Sequence, residues 1–166
     1  MTLHEAAKMG DKVLPGVSSE AMKKHVQNLK KVIILKTLWY EDIIERLESS
    51  ARRYLETMGL LPEYIKTIAV PGSFELPLAA KHFIETEKPD FVVTLGCVIQ
   101  GGTPHFEYIC QALSQGLMTV SLEKNIPIGF GVLTVNNYEQ AAERATKGSE
   151  AAQAALFMSY WMKNNA

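Results

Sequence analysis

Residues 91–99 read FVVTLGCVI, and residues 101–108, just beyond Gln100, read GGTPHFEY. The first stretch is short, strongly apolar and without two-residue alternation, the pattern of a strand covered on both faces. Two glycines, a threonine, a proline and a histidine in the five positions from Gly101 to His105 cannot continue it. Helical spacing then takes over in HFEYICQALSQGLMTVSLEKN. The unit is strand, loop, helix, and that order decides the fold.

Working outward, the same unit recurs. VIIL, from Val32, is a β-branched strand that ends near Trp39. Ile43, Leu47, Ala51, Tyr54, Leu55 and Met58 share one face of a following helix, closed by Gly59. IKTIAV is a strand stopped by Pro71-Gly72, and FELPLAAKHFIETE is a helix with Pro77 in its first turn. IGFGVLTV is a fourth strand, followed by two closing helices, YEQAAERA and SEAAQAALFMSYWMK. Strands alternating with helices over short loops build a parallel sheet with both faces covered. The expected class is α/β, a three-layer α/β/α, flavodoxin-like parallel four-stranded sheet flanked by helices. Residues 1–30 are polar, with a Leu-Pro-Gly turn and the basic piece KKHVQNLKK. They are expected to form an N-terminal extension outside the core, a mobile tail or, less often, an arm docked on a neighbouring subunit, leaving residues 31–166 as the domain.

A chain of 166 residues suffices for one domain with a full core. Apolar residues make up 47% and charged residues 21%, which excludes a disordered chain. The net charge of -1 gives no electrostatic basis for nucleic acid or an anionic membrane as main partner, so an anion must be held by local geometry. The two cysteines, Cys97 and Cys110, form no CxxC pair. They point to a reducing compartment without disulfides or zinc. With no signal peptide in MTLHEAAKMGDKVLPG and no run near ~20 apolar residues, a cytoplasmic location is expected.

In an open parallel sheet the strand-to-helix loops emerge at one edge, where ligands bind. Here they supply Leu38-Trp39-Tyr40, then Pro71-Gly72-Ser73-Phe74-Glu75, then GGTPHF, then Val135-Asn136-Asn137. Aromatic faces, a carboxylate, a hydroxyl, a histidine and glycine-rich backbone suit a planar polar ring plus an anion. No His/Asp/Glu set has metal-ligand spacing. Thr103 is a natural N-cap with Pro104 at N1, and Gly101 and Gly102 allow close approach of a ligand to the backbone. First-turn N–H groups would then favour a phosphate. A plain turn explains GGTPHF equally well, and it is neither a Walker loop nor a dinucleotide fingerprint. His105 sits where the helix dipole favours neutral imidazole, a usable base or donor, although a packing histidine is the simpler account. Trp39 and Phe74 singly read as core. Glu75, between Phe74 and Leu76-Pro77, is an unusual core occupant. Arg144 and Lys147 read as solvated surface or, less often, as an anion clamp.

Four blocks, VPGSFELPLAAK (70–81), LGCVIQGGTPHFEY (95–108), IPIGFGVLT (126–134) and EQAAERA (139–145), closely resemble the 6,7-dimethyl-8-ribityllumazine synthase family in order and spacing. The resemblance runs from about Val32 to the C-terminus. It implies condensation of 5-amino-6-ribitylamino-2,4(1H,3H)-pyrimidinedione with 3,4-dihydroxy-2-butanone 4-phosphate, releasing phosphate and water, the penultimate step of riboflavin synthesis. It implies no metal and no organic cofactor. Homo-pentamers, or multiples up to sixty-subunit shells, are implied, with active sites between adjacent subunits. The riboflavin synthase alpha chain is a further candidate partner.

Residue by residue, the resemblance assigns Trp39 to stacking on the pyrimidine. Ser73, Phe74 and Glu75 hold the ribityl chain, and Val98 and Ile99 meet the pyrimidine at the strand end. Gly102 and Thr103 take the phosphate, and His105 shuttles protons. Phe130 closes the ring pocket, and Arg144 pairs with the phosphate, both from a neighbouring subunit. Lys147 and Glu150 form a charged pair near that arginine.

Departures from the usual family pattern are Gln100 in place of a basic residue, Gly102 in place of a residue with a side chain, and Tyr40 where Asn is frequent. The connection from Arg144 to Lys147 is also several residues short. Two rivals share parts of this pattern. An archaeal-type riboflavin synthase is disfavoured by the PGSFELP and TPHFEY forms. A non-catalytic lumazine or flavin carrier has no use for Thr103, His105 and Arg144 together.

Overall fold

The computed structural model describes residues 17–165. In chain order the elements are α1 (Ser19–Gln27), β1 (Val32–Thr37), α2 (Glu41–Thr57), β2 (Ile65–Val70), α3 (Leu76–Glu87), β3 (Phe91–Ile99), α4 (His105–Lys124), β4 (Ile128–Val135), α5 (Tyr138–Arg144) and α6 (Gly148–Asn164). Single 3-10 turns cover Pro62–Tyr64 and Ser73–Glu75. The four strands form one parallel sheet in the order β2-β1-β3-β4.

Side chains alternate across the strands, so β1 feeds two cores. Val32 and Ile34 join Ile43, Leu47, Leu55, Phe91, Val93 and Leu95 on the face covered by α2, α5 and α6. Ile33 and Leu35 join Leu76, Ala80, Val92, Leu113 and Leu117 on the face covered by α3 and α4. The split follows from handedness. The chain steps from β1 to β2 in one direction and from β2 to β3 in the other, and right-handed crossovers then place α2 and α3 on opposite faces. The α/β three-layer expectation agrees with this architecture.

The extension reading needs correction for residues 17–30, while its part on residues 1–16 lies outside the described residues. Ser18 caps α1, its side chain accepting from the Ala21 N–H at 3.1 Å. Val17, Met22, Val26 and Leu29 are buried in the main core. His25, only 6% exposed, shares a 2.8 Å hydrogen bond with Ser159 on α6 and meets the Tyr160 ring edge-on at 5.5 Å. The segment reads as polar because its apolar contacts are few and its key contact is a polar pair 134 residues apart in sequence.

Burial, with a smaller push from the Lys163 ammonium, holds the His25 imidazole below its ordinary value of 6.5. A histidine that is harder to protonate folded than unfolded costs nothing above that pH and opposes folding as pH falls through it. The carboxylates with lowered values, Glu48, Glu85, Glu87 and Asp90, bear on stability only at lower pH, as it falls through their ordinary values of 4.5 and 3.8. Urea denaturation should therefore show stability declining between about pH 6.5 and 5 in the native protein. His25→Gln should flatten that slope, and an unchanged slope would remove His25 as its cause.

Candidate active site

The sheet order reverses between β1 and β3, and the loops leaving their carboxyl ends diverge there. After β1 the chain turns through Tyr40 in the left-handed region, φ 60°, an uncommon conformation for a residue with a side chain. That turn leaves Trp39 68% exposed at the sheet edge. After β2 the 3-10 turn Ser73–Glu75 closes with the Glu75 N–H donating to the Gly72 carbonyl at 3.3 Å.

Two glycines let these loops come together. A Cβ on Gly72 would lie 3.1 Å from Glu75 Oε2 and 3.6 Å from the Trp39 indole, so both groups crowd one backbone point. A Cβ on Gly96, near the end of β3, would lie 2.8 Å from Ser73 Oγ. The buried Ser73 hydroxyl therefore rests directly on the β3 backbone. The resulting cleft has a volume of about 400 Å³ and is lined by Trp39, Tyr40, Gly72, Ser73, Phe74, Glu75, Cys97, Val98, Ile99, His105 and Ile109. Its size suits one small organic molecule.

Seven residues singled out from sequence meet here: Trp39, Ser73, Phe74, Glu75, Val98, Ile99 and His105. Tyr40, Cys97 and Ile109 line it as well. Ile109 could have been found, since it lies one helical turn beyond His105. Cys97 could not, because its strand reads as plain core.

Gly102 and Thr103 are exposed on the rim and do not line the cleft. Thr103 does not cap α4, correcting the N-cap reading. Pro104 occupies that position with ψ 3°, and no side chain bonds to the first turn. Gly101 and Gly102 are not at positive φ, and a Cβ on either would meet nothing within 4 Å. Among the described residues nothing requires glycine at those two positions.

Phe130 is 45% exposed on β4 and pairs in register with Thr94. It lies five residues before the end of the strand, about 16 Å below the edge that carries the cleft. Arg144 ends α5, where Nη1 donates to the Gln140 carbonyl at 3.0 Å and approaches Glu143 at 3.5 Å. Lys147 Nζ bonds both carboxylate oxygens of Glu150, at 3.2 and 3.0 Å. None of these four lines the cleft of its own chain. Among the described residues no group of three or more His, Cys, Asp or Glu could hold a metal ion. No helix among them is long and apolar enough to cross a membrane.

A family model described as 6,7-dimethyl-8-ribityllumazine synthase matches residues 29–163. This chain belongs to that family. Among similar lumazine synthases, that of Desulfovibrio desulfuricans is 43% identical over 131 residues, 76% of this chain and 84% of the relative. That of Kineococcus radiotolerans is 44% identical over 133 residues, 76% and 81% respectively. That of Parabacteroides distasonis is 43% identical over 125 residues, 72% and 78%. The match to the lumazine synthase model includes every element from β1 onward and begins at Leu29, at the end of the segment that carries α1.

Cys97 is the one nucleophilic thiol lining the lumazine synthase cleft. Burial, helped by the Asp42 carboxylate, pushes its thiol up to about 11. Burial and the Glu107 carboxylate also raise Cys110. Both stay as neutral thiols near pH 7, so neither is an activated nucleophile. Iodoacetamide at pH 7.5 should label both slowly, with Cys97 accelerating only as the pH approaches 11. Rapid labelling of Cys97 at pH 7.5 would contradict its burial.

Proposed function

We infer that this chain is an enzyme that forms 6,7-dimethyl-8-ribityllumazine from 5-amino-6-ribitylamino-2,4(1H,3H)-pyrimidinedione and 3,4-dihydroxy-2-butanone 4-phosphate, in riboflavin biosynthesis. The observation that carries the site assignment is the meeting of Trp39, Glu75 and His105 in one cleft at the β1/β3 switch point. The Trp39 face takes the pyrimidine ring, and Val98 and Ile99 meet its edge. Glu75 accepts from ribityl hydroxyls, beside Ser73 and Phe74. An amine of the pyrimidine attacks the ketone, water is lost to a Schiff base, phosphate leaves, and ring closure releases a second water. Holding two substrates in register can be worth effective molarities of roughly 10⁵ M. His105, exposed at the start of α4, carries protons to and from the reacting nitrogen and oxygen.

The phosphate falls to Gly102, Thr103 and the first turn of α4, whose N–H groups no side chain caps. Open space above Gly101 and Gly102 supports this assignment, since no contact among the described residues calls for glycine there. Arg144 supplies the cation from an adjacent subunit, with Lys147 and Glu150 beside it, and Phe130 closes the ring pocket in the same way. What supports a shared site is the depth of Phe130 below its own cleft, together with its exposure. A pentamer, or a multiple of pentamers, is the assembly that follows. A cytoplasmic enzyme suits the two unpaired thiols, and association with the riboflavin synthase alpha chain would pass the product onward.

Mixing the protein with both substrates should release phosphate and generate lumazine fluorescence; bound flavin without turnover would identify a carrier instead. Steady-state kinetics should rank the variants. His105→Ala should slow turnover by about 10²-fold or less. Arg144→Ala should lower kcat/KM by about 10³-fold. The reverse order would exchange their roles.

A further inference from the structure

The connection between α5 and α6 is only Ala145, Thr146 and Lys147, and it is fastened to α2 by contacts that lie outside the cleft. Ser50, on α2, donates its hydroxyl to the Thr146 carbonyl at 2.6 Å and accepts the Ser149 N–H at 2.8 Å. One side chain thus satisfies a donor and an acceptor of the turn, across 96 and 99 residues of sequence. Gly148 completes the contact. A Cβ there would lie 2.0 Å from the Leu47 carbonyl oxygen and 2.8 Å from its carbon, so only glycine lets the start of α6 sit against α2.

The turn is also wound on itself. Lys147 N–H donates to the Arg144 carbonyl at 3.0 Å, and Glu150 N–H to the Lys147 carbonyl at 3.1 Å. With so short a connection, Arg144 has no slack of its own. Its placement is tied to where α2 holds the turn, as well as to the burial of Ala141 and Ala145.

We propose that Ser50 is a positioning residue for Arg144, clasping the α5–α6 turn to α2 so that the guanidinium is presented at a fixed place to the substrate phosphate. The proposal rests on the assignment of Arg144 to the phosphate and adds the device that aims it. Ser50 does not line the cleft. Its loss should therefore weaken phosphate recognition while leaving the Trp39 and Glu75 end of the site intact.

The test uses full-length Ser50→Ala, Ser50→Thr, Gly148→Ala and Arg144→Ala proteins, with the KM of each substrate and the inhibition constant of inorganic phosphate. Ser50→Ala should raise the KM of the butanone phosphate and the inhibition constant of phosphate about tenfold, the scale expected of a small misplacement. The KM of the pyrimidine should move less than about twofold, and Ser50→Thr, which keeps the hydroxyl, should stay near the native values. Gly148→Ala disturbs the same contact from the other side and should give the same selective defect. Native phosphate binding in either folded variant, or an equal loss for both substrates with a lower melting temperature, would overturn the proposal. An unchanged phosphate constant in Arg144→Ala would take down the assignment of Arg144 itself, and the clasp with it.

Discussion

The parallel pairing of β1 with β3, from Val32 opposite Phe91 to Lys36 opposite Leu95, is the constraint on which the rest of the molecule depends. It places β2 on one side of β1 and β3 on the other, and so sends the first two crossovers to opposite faces of the sheet. The loops leaving the carboxyl ends of β1 and β3 therefore diverge, and the cleft opens in the gap. Register matters as much as order. A slip of one residue would exchange Val32 and Ile34 for Ile33 and Leu35 between the two cores. It would also carry Gly96 away from the Ser73 hydroxyl.

Within that gap the site is held by backbone rather than by ion pairs. Gly72 brings the Glu75 carboxylate and the Trp39 indole to one point, and Gly96 seats Ser73. Crowding of this kind costs little in folding, because the missing Cβ atoms are what make room. It also fixes the surface proposed to take the pyrimidine ring before any ligand arrives, which is where an entropy-driven rate gain would come from. The cations lie elsewhere: Arg144 and Lys147 sit at the α5–α6 turn, and neither lines the cleft.

The fold was legible in the sequence because each strand from β2 to β4 is a compact apolar run ending at a glycine, a proline or a polar loop. IKTIAV, FVVTLGCVI and IGFGVLTV coincide with β2, β3 and β4. Trp39, Ser73, Phe74, Glu75 and His105 were legible because a parallel sheet delivers every strand-to-helix connection to the same edge, whereas Val98 and Ile99, the end of β3, came only from the family resemblance. Three things were hidden. The docking of α1 turns on His25 and Ser159, a buried polar pair that no hydrophobic pattern announces. The cap of α4 falls on Pro104, with a ψ outside the helical range, and not on Thr103, although the helix itself begins at His105 as its spacing indicates. The clasp between Ser50 and the α5–α6 turn joins residues nearly a hundred positions apart, and a serine on a helix face carries no local sign of it.

Seen through α2, the two halves of the proposed site are mechanically one. The helix begins at Glu41, just after Trp39 and Tyr40 at the cleft, and reaches Ser50 about 14 Å further along its axis. One rod thus follows Trp39, the proposed ring-stacking aromatic, at one end and holds the anchor of the turn beside Arg144, the proposed phosphate cation, nearer its middle. In an assembly where each chain lends its cation to the next, this rod sets the distance between the site a subunit owns and the site it serves. Flexible surface loops could not hold that distance, because catalysis by juxtaposition fails when reacting groups stray by about an ångström. The three-residue turn, the absent Cβ of Gly148 and the two hydrogen bonds of Ser50 restrict that freedom beside Arg144, the cation proposed to serve a neighbouring site.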